Sequence, residues 1–261
     1  MAKLSDHASS DFVKLMYIGD SGTGKTGSLA ALVEAGYDLR ILDMDNGLDI
    51  LRNILRHKDP ALLEHVDYET RYDRMKKGPA GMMLAGSPKA FNDALALMDK
   101  WSDDSIPAEW GAKTIFVIDT LTSLARAAHN WFTALNPSAK DGRAITFLAQ
   151  KAIEDVIANI CAEEFHTNVI VLSHVEYTSK EGVPPKGYAA AVGKALGPKL
   201  PKYFNTLVLA ESIGTGTNTK RRIKTVPTGI VDVKVANPYN IAAELPLETG
   251  LVTLFEQLKG N

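Results

Sequence analysis

Residues Gly19-Asp20-Ser21-Gly22-Thr23-Gly24-Lys25-Thr26 satisfy the phosphate-loop pattern G-x-x-x-x-G-K-[ST] at every required position. The flanks suit it. The run 12–18 before it is apolar and β-prone, and 27–35 after it reads as a helix. A strand feeding a glycine-rich turn into a helix N-terminus aims several backbone N–H groups at one point, with the helix dipole behind them. Lys25 would reach the β- and γ-phosphates, and the Thr26 hydroxyl would sit on Mg²⁺. The backbone from Gly19 to Gly27 would complete the cradle. The expected ligand is a nucleoside triphosphate.

The bulk of the chain narrows the class. Its 261 residues, 45% of them apolar, suffice for a full core. The expectation is one α/β domain with a core over about 12–236, a loop-rich insertion at 59–86 and a tail at 237–261. No run approaches the roughly 18 apolar residues of a membrane span. The stretch 1–7 lacks the apolar core of a secretory signal. A cytoplasmic protein without a membrane partner is therefore expected. The single cysteine, Cys161, leaves no internal disulfide and no multi-cysteine metal site. A formal net charge of −2 gives no global nucleic-acid signature, so any such contact must come from local patches.

Strand candidates at 13–18, 39–44, 114–119, 168–173 and 205–211 alternate with helical patterns at 27–35, 47–57, 87–101, 121–135 and 144–165. That alternation predicts a mostly parallel sheet with helices on both faces. The runs at 114–119 and 168–173 are near-continuous and β-branched, as in central strands buried on both sides. Two β-prone runs around Pro227-Thr228-Gly229 suggest a C-terminal β-hairpin, and 251–258 reads as a short amphipathic helix.

Use of a triphosphate needs a carboxylate behind Mg²⁺, a group that orients water, and positive charge for the transition state. Asp119 ends an apolar run, so it emerges at the C-terminal edge of a central strand, where open α/β sheets bind ligands. It is the expected metal-side carboxylate. Asp45 lies just past the strand at 39–44 and is the first choice for aligning or deprotonating water, with Asp43 second. Ser173 and His174 end the strand at 168–173. They are placed either to sense the γ-phosphate or simply to close the strand.

The phosphate loop, the segment Ile41-Leu42-Asp43-Met44-Asp45-Asn46-Gly47-Leu48-Asp49 and the Asp119 strand together resemble the RecA-type recombinase core. The compact length looks most like the bacteriophage RecA-like single-strand annealing ATPases. The resemblance spans roughly 12–236 and implies an ATP- and Mg²⁺-dependent ATPase with a RecA-like P-loop NTPase fold. It also implies single-stranded DNA as partner and a ring or filament with nucleotide between copies. A single-strand-binding protein would be a further partner, and the compartment would be a host cytoplasm. The family places its catalytic carboxylate shortly after the second strand, hence at Asp45. It normally carries glutamate there, and the shorter aspartate bears on the rate.

The resemblance also assigns two loops and a cation pair. The stretch 176–202 carries five lysines against two glutamates, with Tyr177, Tyr188 and several glycines. It matches the family's DNA-contacting loop, with Lys180, Lys186, Tyr188 and Lys194 as contacts. Lysines attract phosphates and tyrosines offer stacking faces. The loop at 136–143 would be the other DNA loop. Lys220 and Arg222 match a K-x-R element that reaches a neighbour's active site, as arginine fingers do. The other reading is a basic hairpin edge that guards against strand pairing. Two further functions stay open. One is a DNA-independent ATPase switch acting on a protein partner. The other is an ATP-binding annealing scaffold with negligible turnover.

Overall fold

The computed structural model describes Lys3 and residues 12–79, 81–180 and 182–259, with only the backbone of Lys180. β1 (Lys14–Gly19) runs into the phosphate loop, and α1 (Lys25–Ser28) and α2 (Ala30–Glu34) leave it with a break at Leu29. There follow β2 (Asp38–Asp43), α3 (Asp49–Lys58), β3 (Val66–Thr70), β4 (Met75–Gly78), β5 (Gly81–Leu84) and α4 (Ala90–Asp99). β6 (Gly111–Asp119), α5 (Leu121–Leu135), α6 (Gly142–Ile160) and β7 (Thr167–Ser173) form the centre. β8 (Val175–Lys180), β9 (Val183–Ala189) and α7 (Gly193–Leu196) come next. β10 (Thr206–Ile213), β11 (Lys220–Lys224), β12 (Glu244–Pro246) and α8 (Gly250–Leu258) end the chain.

Eight strands form one sheet in the order β12-β11-β10-β1-β7-β6-β2-β3. It is parallel from β10 through β3, and β11 and β12 add on antiparallel. The expected mixed α/β architecture with a mostly parallel sheet is present. Alternation along each strand divides the core in two. Met16, Ile18, Phe116, Ile118, Val169 and Val171 pack on one face with α4, α5 and α6. Leu15, Tyr17, Ile41, Val117, Ile170 and Leu172 pack on the other with the phosphate-loop helices, α3 and α8. The tail helix belongs to this second core, since Leu251, Leu254 and Phe255 are fully buried in it.

Several elements differ from the sequence expectation, each for a local reason. The helix expected over 144–165 stops at Ile160. There the buried ammonium of Lys14 donates to the carbonyls of Ile160 (3.1 Å), Phe165 (2.6 Å) and Thr167 (2.8 Å). The cation takes up carbonyls that a longer helix would have used itself. The insertion 59–86 holds a 3-10 helix, the edge strand β3 and a separate β4–β5 hairpin. β3 extends the parallel sheet from Leu39↔Val66 to Asp43↔Thr70. The stretch 176–202 begins as the β8–β9 hairpin instead of a loop. The C-terminal hairpin is made by β10 and β11 around 214–219, and not around Pro227-Thr228-Gly229. Beyond that segment, Val231 and Lys234 meet the strands through the isolated bridges Gly187↔Val231 and Leu207↔Lys234, and β12 then joins the sheet beside β11.

Candidate functional site

The C-terminal ends of β1, β7, β6 and β2 stand side by side at one edge of the sheet. They deliver the phosphate loop, Ser173-His174, Asp119 and Asp43-Met44-Asp45 in that order. β7 lies between the phosphate-loop strand and the Asp119 strand. Right-handed twist and parallel pairing bring ends that are far apart in sequence to one crevice.

The turn itself requires its glycines. Gly22 and Gly24 have φ of 78° and 91°, in the left-handed region that side chains disfavour. A Cβ at Gly24 would lie 2.5 Å from Leu247 Cδ2, and one at Gly19 would lie 2.6 Å from the Ala210 carbonyl oxygen. The cradle is therefore bare backbone. Lys25 Nζ donates to the carbonyls of Gly19 (2.7 Å) and Asp20 (3.0 Å) and curls over the loop. Burial lowers its pKa to about 8, against the opposing fields of Asp119, Asp20 and Asp45. An anion in the cradle would add to those fields and favour the ammonium form.

Thr26 Oγ1 donates to Asp119 Oδ2 at 2.8 Å. Burial raises the Asp119 pKa to about 6; the Thr26 hydrogen bond opposes this, while nearby Asp45 and Asp43 add to it. The Lys25 ammonium favours its charged form, and with two further carboxylates close by a divalent cation would add counter-charge. Mg²⁺ characteristically takes one or two carboxylates and completes its shell with phosphate oxygens and water. Thr26 and Asp119 fit that donor set, so the residues present suit a nucleotide with its metal.

Asp43 and Asp45 play different parts. Asp43 is buried. Its Oδ1 accepts from the backbone N–H of Asp45 (3.1 Å) and Gly47 (3.3 Å), and its Oδ2 from Thr70 Oγ1 (3.1 Å). It shapes the turn after β2. Asp45 is exposed, with one carboxylate oxygen accepting from Thr120 Oγ1 at 3.0 Å and the other from Ser123 Oγ. Thr120 also caps α5. The sequence reading missed these two positioning hydroxyls, although Thr120 directly follows Asp119.

Ser173 is fully buried and donates to the carbonyls of His174 (3.0 Å) and Ala190 (3.2 Å). The pKa of His174 is lowered, by burial first and then by the field of Lys25. His174 O accepts from Ala190 N–H at 2.8 Å, which closes the base of the β8–β9 hairpin. From that hairpin the Tyr177 hydroxyl reaches back to Asp20 Oδ2 at 3.2 Å. The hairpin thus touches the phosphate loop, a link between residues 157 positions apart.

The remaining candidates are dispersed. Lys186 pairs with Asp232 at 2.9 Å, Tyr188 is half-buried, and Lys194 is exposed on α7. The Lys180 side chain lies outside the described residues. In the loop at 136–143, Asp141 caps α6 and pairs with Arg143. Lys220 is exposed, whereas Arg222 is held by Glu211 (2.8 Å) and Glu244 (2.5 Å) of its own chain. Arg221, passed over in the sequence, has Cδ 3.4 Å from where a Gly24 Cβ would stand. Buried Ile223, two residues on, was the available signal, because alternation puts Arg221 on the phosphate-loop face.

The fold and the site together describe an α/β protein whose glycine-rich turn, matching the phosphate-loop pattern, stands beside the buried carboxylate of Asp119. No family model matches the chain, and no curated protein matches it. Among solved structures it is similar to a KaiC-like protein, PH0186, of Pyrococcus horikoshii OT3, with 10% identity, 82% of this chain and 79% of that one covered, and TM-score 0.41. It is similar to the RadB recombinase at 16% identity, 82% and 80% coverage and TM-score 0.45. It is also similar to the flagellar accessory protein FlaH of Methanocaldococcus jannaschii, at 12% identity, 81% and 76% coverage and TM-score 0.38. No helix among the described residues is long and apolar enough to cross a membrane.

Proposed function

We propose that this chain is a RecA-like, ATP- and Mg²⁺-dependent ATPase that assembles on single-stranded DNA and promotes annealing or strand exchange. The observation that carries the reading is the convergence of Lys25, Thr26, Asp119 and Asp45 on one crevice, with Tyr177 tying the β8–β9 hairpin to it.

Bound ATP supplies the phosphoryl group, and its Mg²⁺ neutralises developing charge. Lys25 and the loop amides hold the phosphates, and Thr26 and Asp119 hold the metal. Asp45, oriented by Thr120 and Ser123, aligns water and accepts its proton. Lys220 and Arg222 serve a neighbouring copy, Arg222 exchanging its Glu211 and Glu244 partners for that role. Ser173 and His174 relay the state of the crevice to the β8–β9 hairpin. Lys180, Lys186, Tyr188 and Lys194 meet the DNA, and the loop at 136–143 joins them. A phosphate near Asp20 bears directly on the Tyr177 hydroxyl, which makes the hairpin responsive to nucleotide.

A second reading, an annealing scaffold with negligible turnover, draws on Asp45 itself. Its carboxylate is short and already holds two hydroxyls. Affinity for a labelled single strand, measured with and without a non-hydrolysable ATP analogue, tests the coupled reading. Tighter binding with the analogue is expected; identical affinities refute the coupling.

A further inference from the structure

The β4–β5 hairpin takes no part in the site as built above, yet its surface is unusual. Among the described residues its strands pair only with each other, and a two-stranded hairpin is marginally stable in water. It nevertheless turns apolar side chains outward: Met75 is 51% exposed, Met82 65%, Met83 47%, and Tyr72 just before it 49%. Arg74, Lys76 and Lys77 are exposed, and none makes an ion pair among the described residues. The nearby acids are engaged elsewhere. Glu69 pairs with Arg71 at 2.8 Å, and Asp73 accepts from the first N–H groups of α4. Across 69–77 the four cations Arg71, Arg74, Lys76 and Lys77 outnumber the two acids Glu69 and Asp73.

Register sets the chemistry of each face. Lys77 stands opposite Met82 and Met75 opposite Leu84, while Lys76 stands opposite Met83 on the other side. Cross-strand partners share a face, so each face sets a cation beside a polarizable thioether. Met75 and Leu84, with Tyr72, also line a cleft of about 500 Å³ that Asp45, and Arg126 and Ala127 of α5, line as well. A single strand offers matching groups: phosphates for the cations, and unstacked bases for the tyrosine and methionines.

We infer that the β4–β5 hairpin is a second contact for single-stranded DNA. Arg74, Lys76 and Lys77 take the backbone, and Tyr72 stacks a base beside the cleft that leads to Asp45. This rests on the DNA reading above and assigns it a surface separate from the β8–β9 hairpin. A strand seated there lies next to the water-orienting carboxylate and reaches turnover by its own route.

The test titrates the full chain against a fluorescein-labelled oligothymidylate at several salt concentrations, for the parent, Lys76→Glu/Lys77→Glu and Tyr72→Ala. The double variant is expected to lose roughly ten-fold or more in affinity and to flatten the salt dependence by about one to two in log–log slope. Tyr72→Ala is expected to lose roughly five-fold or more with the slope kept, because stacking releases no counterions. Binding of a fluorescent ATP analogue by the double variant should match the parent and shows that the fold is intact. Parent-like DNA binding by both variants, with loss only in Lys186→Glu/Lys194→Glu, overturns this inference alone. So does a drop in solution mass with DNA affinity unchanged, which would make the hairpin a contact between copies. A parent that does not bind the strand overturns the DNA reading as well.

Discussion

Thr26 Oγ1 lies 2.8 Å from Asp119 Oδ2, although 93 positions separate the two residues in the chain. Thr26 sits in the first turn after the phosphate loop and Asp119 at the end of β6, with β7 between their strands. Only the assembled sheet brings the hydroxyl and the carboxylate together. In the proposed function, their meeting point is where the cation of a bound triphosphate would sit.

Asp119→Asn keeps the shape of the side chain and removes its charge. Affinity for nucleotide in the presence of Mg²⁺ should fall about ten-fold or more, with little change when the metal is chelated. Titration of a fluorescent ATP analogue with and without Mg²⁺ reads both. Equal losses in the two conditions would assign Asp119 a structural part only.

Asp45→Asn should leave nucleotide binding near the parent value and lower turnover by roughly 10²- to 10⁴-fold, the usual worth of a positioned general base. A phosphate-release assay beside a binding titration separates the two. Unchanged turnover would move the water-orienting part away from Asp45.

How far these parts could be read from the chain depended on how local they are. The phosphate loop is contiguous, and its strand and helix flank it directly, so the cradle was legible at once. Asp119 was legible because it ends an apolar run, Ile115 to Ile118, that is completely buried. β9 was not, since Pro184, Pro185 and Gly187 break any strand pattern; a two-stranded hairpin tolerates them because it has an open edge. β3 was masked by the charges of Asp67 and Glu69, which an edge strand can carry. The hydroxyls of Thr120 and Ser123 meet Asp45 from 75 and 78 positions away. Contacts of that kind leave no periodicity to read.

The tail helix offers a test of packing. Phe255 is fully buried between α8 and the phosphate-loop side of the sheet, where its ring meets Tyr37 edge-on with 5.6 Å between centroids. Phe255→Ala should cost about 3–5 kcal/mol of stability through lost burial and the cavity left behind. Urea unfolding measures it. A loss within the scatter of surface substitutions would mean that α8 is dispensable to the core.

Lys14 gives the fold a pH signature. Its side chain is only 6% exposed, and burial lowers the ammonium pKa from 10.5 to about 8. Between those values the unfolded chain binds the extra proton, so stability rises with pH across that window. Below it both states are protonated and the burial cost stands in full. Lys14→Met removes this titration. The stability of the parent relative to the variant should rise by on the order of 3 kcal/mol from pH 8 to pH 10.5. Paired denaturation curves at several pH values check this, and a flat difference contradicts it.

The cradle formed by Gly19 to Thr26 underlies every functional step above, and Lys25 is its only side-chain cation. Calorimetric titration of Lys25→Ala with ATP and Mg²⁺ tests it most directly. Affinity should fall by about a hundred-fold or more, as the phosphates lose a charge-assisted partner in a buried site. Nucleotide binding at the parental affinity in a folded variant would contradict the account.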